Sequence, residues 1–251
     1  MIMKRFLSLV LVVVTGILFA ACGSFSRPKV LIGADATLPL FESYDPYDGL
    51  FYGFDIEVME AIAARAGFEV EFVDVGYDEL LARVGQCELD AGISAIAITD
   101  ALRQQFDFSD PYYTAGHVLV VKEGNIEITG LESLPGMTVG TQAGSLSELE
   151  AGKIPGVDLN AYGNFALSFQ ELIGGYIDAV IADQPRALGY VNVKPNNLKI
   201  VGEVFGRLDY GVAVCKDRAD LLAKINDGIA KLKANGTLER LVRKWVINRG
   251  Q

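Results

Sequence analysis

The chain of 251 residues has one histidine, His117, and its three cysteines form no CxxC pair; no HExxH pattern occurs either. A tetrahedral zinc site or a His-based catalytic triad therefore has nothing to be built from, and no metal, cofactor or catalytic residue is implied. Positive charge is short as well: 22 Lys and Arg against 32 Asp and Glu leave a net charge of −10, which argues against a nucleic-acid partner. Proline is scarce at 8 residues, while 51 % hydrophobic and 22 % charged residues make an ordinary globular composition, enough for one or two compact lobes.

Part of the apolar content is concentrated at the start. Lys4 and Arg5 precede LSLVLVVVTGILFA, an apolar run of about fourteen residues, where about twenty are needed for a bilayer-spanning helix. Ala20 and Ala21 then precede Cys22, so residues 1–21 read as a secretory signal peptide with a bacterial lipobox, although Phe19 stands where that motif more often has Leu. Cleavage would leave Cys22 as a lipidated N-terminus, with 22–28 as its tether. It would remove Lys4 and Arg5 but no acid, moving the net charge from −10 to −12. The other cysteines, Cys87 and Cys215, permit one disulfide in an oxidising compartment and equally permit two separate thiols.

Beyond the tether, strand and helix patterns alternate. VLIGAD reads as a buried strand; the stretch from Phe54 to Gly67 is an amphipathic helix with apolar Phe54, Val58, Ile62 and Ala66 and a glycine stop; FEVEFVDV, YDELLARVGQ and LDAGISAIAI follow as strand, helix and strand. A second block repeats the rhythm from MTVGTQ to LKIVGEV. The fold class expected is α/β: two lobes of sheet flanked by helices. YTAGHVLVVKEGN and RLDYGVAVCK are long enough to cross between lobes as a two-strand hinge, which assigns 29–115 plus 208–251 to lobe 1 and 116–207 to lobe 2.

Eight ordered blocks, GADATLPLFES, GFDIEVMEAIAARAG, YDELLARV, LDAGISAIAIT, DFSDPYYTAG, VGTQAGS, DAVIADQPRALGYV and INDGIAKLKANGTLERLVRKWV, carry a resemblance. The chain resembles the solute-binding proteins of bacterial ABC transporters, the polar amino acid group of the type II-like periplasmic binding proteins. The resemblance implies a monomer that closes on a small-molecule ligand, most simply an amino acid, and delivers it to an ABC permease without chemistry. It also implies an extracytoplasmic location, in the periplasm or on the outer face of the cell membrane.

The resemblance places Asp35 and Asp183 near a ligand ammonium, at strand ends where α/β folds bind ligands, although Asp is also a favoured helix cap. It places Tyr77, Phe41 and Leu38 against the ligand's side chain or stem, with core packing the other reading of Phe41. Ser94, Ala97 and Thr99 fall in the segment before the family's Thr-x-x-Arg helix, and the amides around Gly144 and Ser145 offer half of an anion site.

In that helix the sequence departs from the family. Leu102 stands three after Thr99 and Arg103 four after, and one residue along a helix is a rotation of about 100°. With Asp100 as the cap, Arg103 recovers the family's position and forks onto a ligand carboxylate; with Thr99 as the cap, Leu102 faces the cleft and Arg103 is a solvated charge. Asp caps at least as well as Thr, so the first register is the expectation. Two other functions fit the same scaffold: a cyclohexadienyl dehydratase-like enzyme, for which Glu79 and Glu171 are the acids available, and a ligand sensor working with a separate receptor.

The anchor is directly testable. Cells expressing the full chain should incorporate a palmitate analogue into wild type and not into Cys22→Ser; equal labelling and equal membrane retention of the two would remove the lipobox.

Overall fold

The computed structural model describes residues 27–247, apart from 39, 194 and 195. The expected signal peptide (residues 1–21), Cys22 and most of the expected tether lie outside the described residues. The first sheet begins with β1 (Lys29–Ala34) and is preceded by no described helix; a small hairpin, β2 (Ser43–Asp45) with β3 (Leu50–Tyr52), leads into α1 (Phe54–Ala66) and β4 (Glu69–Asp74). Next come α2 (Tyr77–Gly85), β5 (Ala91–Gly92), α3 (Asp100–Arg103), β6 (Asp107–Phe108) and β7 (Tyr113–Lys122). The second half holds β8 (Thr138–Gln142), α4 (Leu146–Ala151), β9 (Asp158–Tyr162), α5 (Phe165–Gly174), β10 (Ala179–Asp183), α6 (Gln184–Val191) and β11 (Leu198–Tyr210). The chain closes with β12 (Ala213–Val214), α7 (Ala219–Ala234), α8 (Thr237–Val242) and a π turn, Arg243–Ile247.

The first sheet has the order β4-β1-β5-β12-β6, with β1 parallel to β4 and β5, and β12 antiparallel to its neighbours β5 and β6. The second has the order β11-β7-β10-β8-β9, parallel from β10 to β9 and antiparallel across β7. This is the mixed α/β architecture expected, each sheet carrying helices over its own apolar clusters. Among the described residues, no helix is long and apolar enough to cross a membrane.

The two sheets are joined by one antiparallel ribbon. β7 leaves the first sheet after β6, and β11 returns to it just before β12, the pair holding Tyr113 opposite Tyr210, Thr114 opposite Asp209 and Ala115 opposite Leu208. The two stretches read from the sequence as LKIVGEV and RLDYGVAVCK are here one strand, β11, running into β12. Register shifts between Val201 and Phe205 and between Phe205 and Leu208 absorb the twist a long ribbon accumulates. LDAGISAIAI also differs: only Ala91 and Gly92 are strand, because Ala95 takes a left-handed φ of 45° and breaks the extended run.

Gly53 sets how α1 enters. At φ 138° its missing Cβ would lie 2.2 Å from the Phe41 carbonyl oxygen. That close approach lets the Phe54 and Asp55 amides, orphans of the first helical turn, donate to Leu40 and Phe41 carbonyls at 2.9 Å each. At the other end Gly67 stops α1 at φ 81°.

Cys87, just after α2, and Cys215, just after β12, form a disulfide that closes 128 residues within the first sheet's half of the fold. A loop of that length costs the unfolded chain entropy worth up to about 5 kcal/mol in the chain-entropy account. Replacing both cysteines by Ser should lower the unfolding free energy by about 2–5 kcal/mol in urea titrations. Coincident unfolding midpoints for the two proteins would show that the bond adds no stability.

Candidate functional site

The mouth of the first sheet is built on buried carboxyl groups. Asp35 follows β1, donating its amide to Ser94 Oγ at 3.3 Å and accepting from Thr37 Oγ1 at 2.8 Å and from the Tyr77 amide at 3.2 Å. Gly76 precedes α2 and has no side chain to cap it, so Asp35 satisfies that helix end from a neighbouring loop. Ser94 Oγ in turn donates to Glu42 Oε1 at 2.5 Å. Beside it, Asp55 Oδ2 accepts from the Ala95 amide at 2.7 Å and from the Tyr112 hydroxyl at 2.9 Å, which holds Ala95 in its left-handed conformation.

Glu42 and Asp55 are both wholly buried. Glu42 Oε2 and Asp55 Oδ1 are buried with no hydrogen-bond partner among the described residues, and each carboxyl lies within the other's electrostatic reach. Burial, reinforced by the charge of Asp55, pushes Glu42 well above the usual carboxylate range, although Ser94 and Arg186 pull the other way. Burial raises Asp55 to about 7 against its bonds from Ala95 and Tyr112. Both carboxyls are thereby held toward the protonated form. Neither acid was singled out from sequence. A signal existed for Asp55, which lies on the stripe it shares with Met59 and Ile62, both buried.

The second sheet contributes the start of α6. Asp183, the last residue of β10, caps that helix by accepting from the Arg186 amide at 3.0 Å, and its Oδ2 pairs with Arg186 Nε at 2.9 Å. Arg186 is the other site residue that sequence reasoning missed; its only mark was a lone cation three residues after the cap, inside DQPR. Its guanidinium lies 5.5 Å from the Phe165 ring centroid. Burial would lower its pKa, but Asp183, with Tyr210, Tyr77 and Glu42, holds it raised. The Tyr77 hydroxyl is raised by burial and by Asp183 while Arg186 opposes, and burial and Asp183 raise Tyr210 well above its ordinary value. Groups from both sheets thus share one electrostatic neighbourhood: Tyr77 and Glu42 from the first, Asp183 and Arg186 from the second, and Tyr210 at the ribbon's end.

Other expected site residues are placed differently. Thr99, not Asp100, caps α3: its side chain accepts from the Leu102 amide at 3.2 Å, so Leu102 is the third helical residue. Leu102 packs against the cluster of Leu80, Val84, Phe106 and Phe108, while Arg103, about 100° further round, is exposed with its guanidinium 5.8 Å from the Phe108 ring centroid. The expectation that Asp100 caps this helix is therefore corrected, and Arg103 stands one position beyond the place the family's arginine takes. The anion site at Gly144 and Ser145 is also already filled: the Gly144 amide donates to Glu148 Oε2 at 2.6 Å, and Ser145 Oγ accepts from the Glu148 amide and donates to the Gln142 carbonyl. Phe41 is fully buried with its ring 5.2 Å from Phe54 and 5.6 Å from Tyr113, and Leu38 lies in the same cluster, so both build the core under the cleft. Ala97 makes an isolated bridge to Tyr210.

The family model of the bacterial extracellular solute-binding proteins, family 3, matches residues 30–248. The chain belongs to that family. The L-cystine-binding protein TcyJ of Escherichia coli (strain K12) is 34 % identical over 221 residues, 87 % of this chain and 83 % of that protein. An ancestral arginine-binding protein solved bound to arginine is 40 % identical with a TM-score of 0.74, covering 88 % of this chain and 99 % of that one. The ancestral amino acid-binding protein AncCDT-1, described as a precursor of cyclohexadienyl dehydratase, is 31 % identical with a TM-score of 0.73, covering 86 % and 94 %. As a solute-binding protein of this family the chain is of an extracytoplasmic class. Among its described residues, the His, Cys, Asp and Glu side chains close enough to share a metal ion are Cys87, Cys215 and Asp217, and the two sulfurs there are bonded to each other.

The buried acids set a pH dependence. Burial raises Asp55 from 3.8 to about 7 and raises Glu42 well above the usual carboxylate range, so the native state binds more protons than the unfolded state across this window. Stability is then greatest at the acidic end and declines as pH rises through 7. Calorimetric melting temperature should fall from pH 5 to pH 8 in wild type and fall less in Glu42→Gln, which removes one of the two raised carboxyls; parallel pH profiles would show that the pair does not set the dependence.

Proposed function

We propose that this family 3 protein is a monomeric receptor for an α-amino acid, lipid-anchored through Cys22 outside the cytoplasm, that hands its ligand to an ABC permease. The observation that carries the reading is the meeting of Tyr77, Asp183 and Arg186 where the two sheets face each other across the β7–β11 ribbon. The amino acids named for its relatives, cystine and arginine among them, support the ligand class. The two bodies, 29–115 with 208–251 and 116–207, close on the ligand by bending the ribbon, a motion open to domains connected by a few strand-end residues.

The ligand site has Asp35 and Tyr77 on one side and Asp183 on the other, with Ser94, Ala97 and Thr99 shaping the floor. Asp183 serves as helix cap and ligand partner together, since each of its oxygens has a second lone pair. No residue is assigned to catalysis, because a dehydratase needs a placed acid facing the ligand and the strongly raised carboxyl here, Glu42, is sealed in the core.

A panel of the twenty L-amino acids and L-cystine tests this by thermal shift. One or a few of them at about a hundred times the dissociation constant should stabilise the protein by about 2.7 kcal/mol. A flat response across the panel, or release of an aromatic product from a cyclohexadienyl acid, would overturn the reading.

A further inference from the structure

We infer that Arg186 is a specificity-determining residue that takes over the ligand's carboxylate, with Asp183 beside it taking the ammonium. This deepens the amino acid reading proposed above and rests on it. The inference starts from the side chain's unspent hydrogen-bonding capacity. A guanidinium has five N–H donors in a planar fork. Arg186 commits Nε to Asp183 Oδ2 at 2.9 Å, and its Nη1 and Nη2 donate no hydrogen bond among the described residues. The four remaining N–H groups belong to a side chain only 26 % exposed, against the Phe165 ring on one side and within electrostatic reach of Tyr77, Glu42 and Tyr210. Half-buried donors of a cation left open in a cleft are matched by a carboxylate, which accepts two parallel bonds from the fork.

The placement expected for this role is vacant elsewhere. Leu102 stands at the third position of α3, Arg103 lies exposed over Phe108, and the Gly144 amide is satisfied by Glu148. The cation has instead moved to the opposite sheet, to the third position of α6. There the spacing of three residues folds it back onto the cap residue, Asp183.

The charge sum of this pair selects the ligand class. Asp183 and Arg186 together are neutral, with acid and base held at ion-pair distance, so neither an isolated cation nor an isolated anion is favoured over water. A zwitterion is favoured, because its ammonium and carboxylate are separated by one carbon and lie head to tail against the pair, forming four alternating charges. The ligand selected is an α-amino acid with both α-groups free. Its side chain then projects toward Tyr77 and the first sheet.

The test uses the full-length chain and calorimetric titration of the twenty L-amino acids and L-cystine, each compared with its α-carboxamide. Wild type should bind the best amino acid at least about thirty-fold more tightly than the corresponding carboxamide, about 2 kcal/mol. In Arg186→Gln the discrimination should collapse to within about three-fold, and Arg186→Lys should retain an intermediate value, since a point charge cannot reproduce the fork. If Arg186→Gln does not fold, as read by its melting temperature, the Lys variant decides alone: full wild-type discrimination in it overturns the inference. An amino acid bound with undiminished carboxylate preference in Arg186→Gln also overturns it and leaves the amino acid reading standing, whereas a wild type that binds none of the panel removes both.

Discussion

The buried carboxyl pair Glu42 and Asp55 holds the binding face of the first sheet in shape. Both sit wholly inside the core, where desolvating two charges is most costly, and burial raises both above the usual carboxylate range. Through Glu42 Oε1 and Asp55 Oδ2 they hold Ser94, the Ala95 amide and Tyr112. Ala95 is thereby kept in a backbone conformation that a β-carbon disfavours, and the strand after β5 is turned into the loop that carries Ser94 and Ala97. The arrangement depends on Gly53, since only a residue without a side chain lets the chain before α1 approach Phe41 closely enough to bring Asp55 beside Glu42.

From that loop the constraint passes to the ribbon. Ile98 donates to the Asp209 carbonyl at 2.8 Å and Gly211 to the Ile96 carbonyl at 3.1 Å, so the loop is stitched to the end of β11 where that strand re-enters the first sheet. Tyr210, opposite Tyr113 on β7, sits at this junction with its ring 6.2 Å from Phe41 and its hydroxyl under the influence of Asp183. Core, hinge and cleft meet in one residue. Bending of the ribbon therefore acts on the aromatic cluster directly, and a ligand that draws Asp183 and Tyr77 together is felt at the hinge without any long relay.

The alternation of elements was legible because hydrophobic period and glycine stops are local: α1 with Gly67, α6 after Asp183, and α7 up to Asn235 all follow from spacing. The ordered blocks carried the family for the same reason. What escaped was decided by tertiary contacts. Asp100 and Thr99 are both competent caps, and the outcome followed from Thr99 Oγ1 reaching the Leu102 amide while Leu102 filled a gap against Phe106 and Phe108. Asp55 reads as an ordinary helix-start acid until Glu42 is seen beside it, and Arg186 reads as a solvated helix charge until Tyr77 of the other sheet is brought near. Capping strength and charge are properties of a residue; partnership across 13 positions, as for Glu42 and Asp55, or 109, as for Tyr77 and Arg186, is a property of the fold.

Both acids expected at the ammonium act as helix caps, Asp35 for α2 and Asp183 for α6, and capping leaves the proposed ligand contact open to each. A cap fixes the carboxylate's direction before any ligand arrives, so ordering it costs nothing at the moment of binding. Placing Arg186 against Asp183 adds a cation to the same helix start, where the dipole alone disfavours it. That position is tolerable because Asp183 offsets it: Nε pairs with Asp183 Oδ2 at 2.9 Å, and the guanidinium lies 5.5 Å from the Phe165 ring centroid.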